Sequence, residues 1–282
     1  MKLAVLADVH ANFAALEAVA AQLEKWRPDW VIVAGDLVNR GPRPLECLRY
    51  VQDKMRTAGW LSVLGNHEEY VMSHAHSSAP RSGMQFDLHS TSYWTFQQLN
   101  GDVSALAAMP LQQNGLAPDG SEFRVVHASM SGTRAGVYAY TSDDVLRRLI
   151  DPPPALLCVG HTHKPLIRRI DCTLIVNVGA VGLPFDGDRR ACYGQLTWRD
   201  NEWQAEIIRL EYDRKRADRD FDLTGFMDQS GAFAPLIRKE LHLAQSQLYE
   251  WGQRYEAPVL AGELTLTESV RRFLTDDGRA SV

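Results

Sequence analysis

Little in this sequence is extreme, and each scarcity removes a class of protein. Cysteine is scarce: Cys47, Cys158, Cys172 and Cys192 are all there is, and none forms a C-x-x-C pair. A chain of 282 residues can bury enough apolar surface to fold without disulfide staples, so four reduced thiols are expected. Excess positive charge is absent: Lys+Arg total 30 against Asp+Glu 35, for a net charge of −5. That excludes a whole-surface basic field for gripping nucleic acid and leaves no strong nucleic-acid signature. No apolar run approaches the ~18 residues of a membrane helix, so no membrane partner is expected. The opening MKLAVLADVHANF is interrupted by Asp8 and His10 and lacks a small-residue cleavage site. It reads as a strand and not as a signal peptide, with a cytoplasmic location as the default. Repeats and low-complexity tracts are missing too. With 45% hydrophobic and 23% charged residues, what remains is an ordinary soluble globular chain.

What is present is an alternation of short apolar runs and helical patterns. Lys2 to Ala7 (KLAVLA) is a compact strand-type run, and Leu16, Val19, Leu23 and Trp26 then recur at helical spacing after Asn12, a plausible N-cap. WVIVA and LSVL are further strands, separated by a helix through Leu45, Leu48 and Val51. Residues 68–110 read as mostly helical, with a Ser/Gly-bearing break near 77–83. A strand pair turns at Asp119-Gly120, ALLCV is a buried-type strand, and two hairpins form around Asp171-Cys172 and Arg199-Asp200-Asn201. Strands alternating with helices argue for an α/β fold. From about Tyr212 charges crowd into DRKRADRD, read as a solvated helix with mixed-sign pairs. Helical patterns follow over 232–252 and 266–274, and the final DDGRASV is expected to fray.

The informative residues sit at the ends of strands. KLAVLA ends in Asp8-Val9-His10, WVIVA in Gly35-Asp36, and LSVL in Gly65-Asn66-His67-Glu68. FRVV ends in His127, and ALLCV in Gly160-His161-Thr162-His163. Function in open α/β sheets collects beyond the carboxyl ends of strands, and five of the nine histidines fall in these junctions. Any one of them alone would pass for a turn former or a hydrogen-bonded structural residue; together they read as a metal site. Imidazole, carboxylate and amide oxygen suit first-row metals, with Mn or Fe favoured and Ni or Zn also compatible. The lack of Cys in the set argues against structural zinc. His74, His76, His89 and His242 fit no such pattern and are taken as surface or structural residues. Arg189 and Arg190 read as a solvated turn that could reach a substrate rim.

D-x-H, G-D-(x)n-G-N-H-E, a later His and G-H-x-H together resemble the signature of the calcineurin-like metallophosphoesterase superfamily. GDLVNRGPRPLECL, VVHAS, GHTHKP and NVGAVGLPFDGDRRACYGQL resemble its bacterial YfcE-like phosphodiesterase branch. The resemblance covers roughly 1–211, implying a metallophosphoesterase domain over 1–211 and a helical extension over 212–282. It implies a four-layer αββα sandwich, two mixed β-sheets flanked by helices. It also implies two divalent metals, the first held by Asp8, His10, Asp36 and His163, the second by Asp36, Asn66, His127 and His161. The activity so implied is that of a hydrolase on ester bonds. A metal-bridging hydroxide would attack in line a phosphodiester or related nucleotide phosphate bond, so the partner is a small phosphate ester or nucleotide. His67 would then protonate the leaving oxygen or stabilise the transition state, and Arg40 would grip phosphate. One departure stands out: protein phosphatases carry Asp before that Arg, and this chain has Asn39, an amide that can orient His67 but not stabilise its charge as a carboxylate would. The alternatives are a phosphomonoesterase or protein phosphatase, a dinucleoside polyphosphate hydrolase, and a non-catalytic scaffold on the same fold. Association into a homo-oligomer is compatible with the sequence.

Overall fold

The computed structural model describes residues 1–277; of the DDGRASV segment, residues 278–282 lie outside the described residues. In chain order the first half runs β1 (Lys2–Leu6), α1 (Phe13–Trp26), β2 (Trp30–Val33), α2 (Pro44–Ala58), β3 (Leu61–Ser62), α3 (Asn66–Ser73), α4 (Met84–Leu88), α5 (Ser90–Gln98), α6 (Ser104–Ala107), β4 (Gln112–Leu116) and β5 (Glu122–Val126). Then come α7 (Asp143–Leu149), β6 (Leu156–Val159), β7 (Leu166–Ile170), β8 (Thr173–Asn177), β9 (Ala191–Arg199) and β10 (Glu202–Leu210). The chain ends in α8 (Arg214–Leu223), α9 (Phe226–Gln229), α10 (Ala234–Leu243), α11 (Gln247–Trp251), α12 (Ala257–Leu260) and α13 (Leu266–Asp277). The helical stretch expected over 68–110 is therefore four short helices. Among the described residues no helix is long and apolar enough to cross a membrane.

Two five-stranded sheets form, ordered β10-β9-β1-β2-β3 and β4-β5-β6-β8-β7. Both are mixed. β1 and β2 pair in parallel while β9 joins β1 antiparallel; β5, β6 and β8 are parallel while β4 and β7 close the edges antiparallel. The strand sequences explain the layering. In β1, alternate residues Leu3 and Val5 face the second sheet and meet Phe123, Val125, Leu156, Cys158 and Val176. Ala4 and Leu6 face outward onto Leu16, Val19 and Leu23 of α1 and Leu48 and Val51 of α2. Val126, Leu157, Val159 and Ile175 cover the outer face of the second sheet against Leu146 and Ile150. Central strands buried on both faces need continuous apolar runs, which KLAVL and LLCV supply. The result is the four-layer α/β sandwich.

The helices after β10 pack around Phe221, Phe226, Phe233, Ile237, Trp251 and Phe273, and this cluster also takes in Ala14, Trp94 and Leu183. The DRKRADRD helix, α8, is less solvated than its composition suggests. Ala217, Asp220 and Phe221 are buried on one face, and the mixed-sign pairs reach across elements: Arg43 to Asp220 at 2.7 Å and Arg238 to Asp218 at 2.7 Å. Sequence spacing shows only pairs within a helix, so these partners were not visible. All four cysteines are unpaired, Cys172 exposed and the others buried. Asn12 caps α1 as expected, its side chain accepting from the Ala15 N–H at 3.2 Å.

Candidate metal centre

Parallel strands deliver the ligand-type residues to one edge. The loops after β1 and β2 are laced together: His10 N–H donates to the Asp36 carbonyl and Ala11 N–H to that of Leu37, both at 3.0 Å. Gly160 N–H donates to the His127 carbonyl at 2.8 Å, which ties the loop after β6 to the end of β5. Side chains then fasten the loops to one another, Asp8 across the two sheets and Asp36 within the first. Asp8 Oδ2 accepts from His161 N–H at 2.8 Å, and Asp36 Oδ1 accepts from His67 N–H at 2.9 Å. The backbone is bent hard to achieve this. Asp8, His10, Asp36, Asn39, Arg40, His161 and His163 all have positive φ, between 47° and 68°. A non-glycine residue in that region costs about 1 kcal/mol or more, and such residues cluster where a site demands them. Glycine supplies the closest approaches. A Cβ on Gly160 would lie 2.6 Å from Asp8 Oδ2, and one on Gly35 2.7 Å from His127 Nδ1.

Two groups of side chains could each hold a metal ion: Asp8, His10, Asp36 and His163, and Asp36, His127 and His161. Asp36 belongs to both. The Oδ1 of Asn66 lies 2.9 Å from His127 Nε2 and 2.9 Å from His161 Nδ1, beside the second group. The structure thus brings together all seven residues singled out as ligands in the sequence. His10, His127 and His163 turn Nδ1 toward the carbonyls of Asn39, Ala34 and Leu183. Their Nε2 atoms therefore point inward, the arrangement by which outer hydrogen bonds orient imidazole ligands. Nε2 of His10 and Nε2 of His163 face each other at 3.1 Å.

The donor set fits cations. Asp8 Oδ1 is buried without a hydrogen-bond partner, an unusual state for a carboxylate oxygen unless an ion completes it. Burial pushes the Asp8 carboxyl well above its usual range. Burial also opposes the charge on Asp36, yet His127, 3.3 Å away, and its neighbours hold that carboxyl well below the usual range. Burial works against charge on His127 as well, and the carboxylates of Asp36 and Asp8 outweigh it, lifting it to about 10. Burial drops His10 to about 3 and His161 to about 4. His10 and His161 are thus neutral, and the positive charge that the buried carboxylates ask for falls on His127.

Two further residues had no assigned role in the sequence reading. Glu68 is fully buried and accepts backbone N–H groups of Asp36 (2.9 Å), Leu37 (2.8 Å), Val38 (3.1 Å) and Gly65 (2.9 Å). It fastens the loop that carries Asp36. The signal was its place three residues after Gly65 at the start of α3, the acid of a capping box. Asn177, at the end of β8, donates to the Gly160 carbonyl and to Thr162 Oγ1, both at 2.8 Å, and so holds the G-H-x-H loop.

Residues 1–165 match the sequence profile of the calcineurin-like phosphoesterase family. The chain belongs to that family. An uncharacterized protein of Methanocaldococcus jannaschii is 27% identical over 76% of this chain and 89% of that protein. The crystal structure of a metallophosphoesterase from Sphaerobacter thermophilus is 27% identical, covers 86% of this chain and 100% of that one, and superposes with a TM-score of 0.65. A symmetrical bis(5'-nucleosyl)-tetraphosphatase of Stutzerimonas stutzeri is 49% identical over 49 residues, 17% of each protein.

In this calcineurin-like phosphoesterase, the cluster opens into a cavity of about 890 Å³ lined by Asp36, Asn66, His67 and His161 together with Arg40 and Lys164. Arg40 has no side-chain hydrogen bond or ion pair among the described residues. His67 is edge-on to His10, with ring centres 4.8 Å apart, and its Nε2 lies 4.0 Å from Asp36 Oδ2. Arg189 and Arg190 are elsewhere: Arg190 folds onto Asp188 at 2.6 Å on an exposed turn. Among the unassigned histidines, His74 is buried against Ser92 Oγ at 2.9 Å and His242 pairs with Asp218 at 2.7 Å, both structural positions.

Proposed function

We propose that this protein is a dinuclear metal-dependent phosphoesterase that hydrolyses a phosphodiester or related nucleotide phosphate bond. The observation that carries the reading is the sharing of Asp36 between two groups of inward-facing donors, with Asp8 Oδ1 left unpaired beside them. In this reading Asp8, His10, Asp36 and His163 hold one cation, and Asp36, Asn66, His127 and His161 the other. Mn and Fe are the cations proposed for these nitrogen and oxygen donors, with Ni or Zn also compatible. When bound, two divalent cations supply Lewis acidity to the phosphoryl oxygens and lower the pKa of an attacking water. Asp36, common to both donor sets, would contribute to holding each. His67 donates a hydrogen bond toward the reacting oxygens, and the unengaged guanidinium of Arg40 grips phosphate. Residues 1–211 form the catalytic domain and 212–282 a helical extension that adds to the cavity wall.

Diester preference follows from charge. A monoester carries close to two negative charges near neutral pH, and specialists for it surround phosphate with cations. This cavity is lined by Arg40 and Lys164, while Arg190 is occupied elsewhere by Asp188. With Mn added, bis-p-nitrophenyl phosphate should be cleaved with a higher kcat/KM than p-nitrophenyl phosphate at the same pH. A monoester constant tenfold above the diester's would mean a phosphomonoesterase. A dinucleoside polyphosphate hydrolase is the second reading, supported by the name of the Stutzerimonas stutzeri relative and its 49% identity over the shared segment.

A further inference from the structure

The cavity is far larger than a phosphate, and its outer wall is aromatic. Tyr138 and Tyr140 stack with ring centres 5.1 Å apart and planes 15° from parallel, and both line the cavity. Tyr249 lines it from α11. Tyr140 is 83% exposed and Tyr249 68% exposed. Tyrosine rings so open to water gain nothing from the fold. Yet each is held firmly. Residues 138–141 form a turn in which Thr141 N–H donates to the Tyr138 carbonyl at 3.1 Å. Tyr138 N–H returns to Thr141 Oγ1 at 3.0 Å, and Arg168 clamps the Thr141 carbonyl at 2.6 Å. On the other side, Ser246 caps α11, and the buried Glu240 accepts from Leu248 N–H at 3.0 Å, one residue before Tyr249. Burial raises the Tyr138 hydroxyl, and Tyr140 and Tyr249 raise it further.

We propose that Tyr138, Tyr140 and Tyr249 form a stacking subsite for the nucleobase of a nucleotide ester whose phosphate lies at the Asp36 cluster. This rests on the phosphoesterase reading above and adds the group that the substrate carries. Preformed aromatic faces beside an anion site recognise a planar ring joined to phosphate, which is the chemistry of a nucleotide. A volume of about 890 Å³ falls in the range of pockets for drug-sized ligands. A long polyphosphate chain would call for more cations than Arg40 and Lys164. One of the three rings, Tyr249, comes from the helices after residue 211, which gives that segment a role in substrate choice.

The test pairs binding with turnover. AMP and phenyl phosphate are titrated into Mn-loaded protein by calorimetry. The dinucleotide ApA and a glycerophosphodiester are compared as substrates of the Mn-loaded protein. AMP should bind more tightly than phenyl phosphate. Tyr140→Ala and Tyr249→Ala should each weaken AMP binding roughly tenfold, the scale of one lost base–aromatic stack. They should raise KM for ApA about tenfold more than KM for the glycerophosphodiester, and Tyr140→Phe should restore both measures. The subsite is refuted if both alanine variants bind AMP as the unsubstituted protein does, or if they damage the two diesters equally. Phenyl phosphate binding as tightly as AMP would overturn the nucleobase assignment. If no ester is cleaved at all, the phosphoesterase reading fails, and AMP binding still reports on the subsite.

Discussion

The side-chain amide nitrogen of Asn39 lies 2.8 Å from Nδ1 of His67, and the amide oxygen is occupied by the Arg40 N–H at 2.9 Å. The backbone donor decides which way the amide faces, and the amide in turn makes Nδ1 an acceptor. The proton of the neutral ring therefore sits on Nε2, on the side facing Asp36. Burial holds His67 well below the ordinary histidine range. A ring fixed in this way donates a hydrogen bond without carrying charge.

Asn39→Asp would reverse that. A carboxylate at this position would accept a hydrogen bond from Nδ1–H and favour the imidazolium. We expect no His67 titration between pH 6 and 9 in the unsubstituted protein, followed by the ring Cε1–H resonance of protein loaded with diamagnetic Zn. In Asn39→Asp the midpoint should move up. An unchanged titration curve would show that position 39 does not set the ring's proton.

His67 and Arg40 should act on substrate and leave metal in place. His67→Ala is expected to lower kcat roughly 10²-fold, the scale of a lost acid or proton donor, with metal content unchanged by elemental analysis. Arg40→Ala should chiefly raise KM, since it removes a guanidinium fork. Loss of metal from His67→Ala, with turnover regained in excess Mn, would reassign that histidine to the metals.

Metal stoichiometry separates shared from unshared ligands. Mn-loaded, washed protein should retain about two equivalents per chain, the number a two-metal centre needs. Asp36→Ala should retain close to none, whereas His127→Ala should retain about one. Equal losses in both variants would remove the bridging role of Asp36. Chelation should lower Tm, because ions bound only by the folded chain stabilise it.

Glu68→Gln replaces a four-fold acceptor by a group with one oxygen and an amine. Two of the loop N–H groups would then face an NH2 and go unsatisfied, at about 1–3 kcal/mol each. Urea unfolding should show a loss of about 2–4 kcal/mol in the metal-free protein, and Mn affinity should fall as the Asp36 loop loosens. Stability equal to that of the unsubstituted protein would mean that the loop holds its shape without Glu68.

The residues that the sequence made readable were those whose identity is dictated by chemistry. Asp8, His10, Asp36, Asn66, His127, His161 and His163 stand at strand ends in a fixed order, and the apolar runs before them are long enough to be recognised as buried strands. Layering followed from the family resemblance and from runs such as KLAVL. What stayed hidden depends on three-dimensional neighbours. Glu68 looks like any acid in a first helical turn until the loop over it is seen. Asp220 looks solvated until Arg43 arrives from 177 residues away. Tyr138, Tyr140 and Tyr249 have no spacing in common, because a loop and a helix from different halves of the chain bring them together. The break within 68–110 was visible as Ser and Gly, but the ends of α3 to α6 are set by packing.

His10 and His163 stand 153 residues apart in the chain and 3.1 Å apart in space. Contacts of such separation close late, after local structure has formed and the entropy of the intervening loop has been met. A ribosome must therefore have released the chain through His163, more than half of this polypeptide, before these two donors can meet. Cation capture becomes a checkpoint for completed assembly, and a truncated or misassembled chain would be distinguishable from the native one by its failure to retain metal.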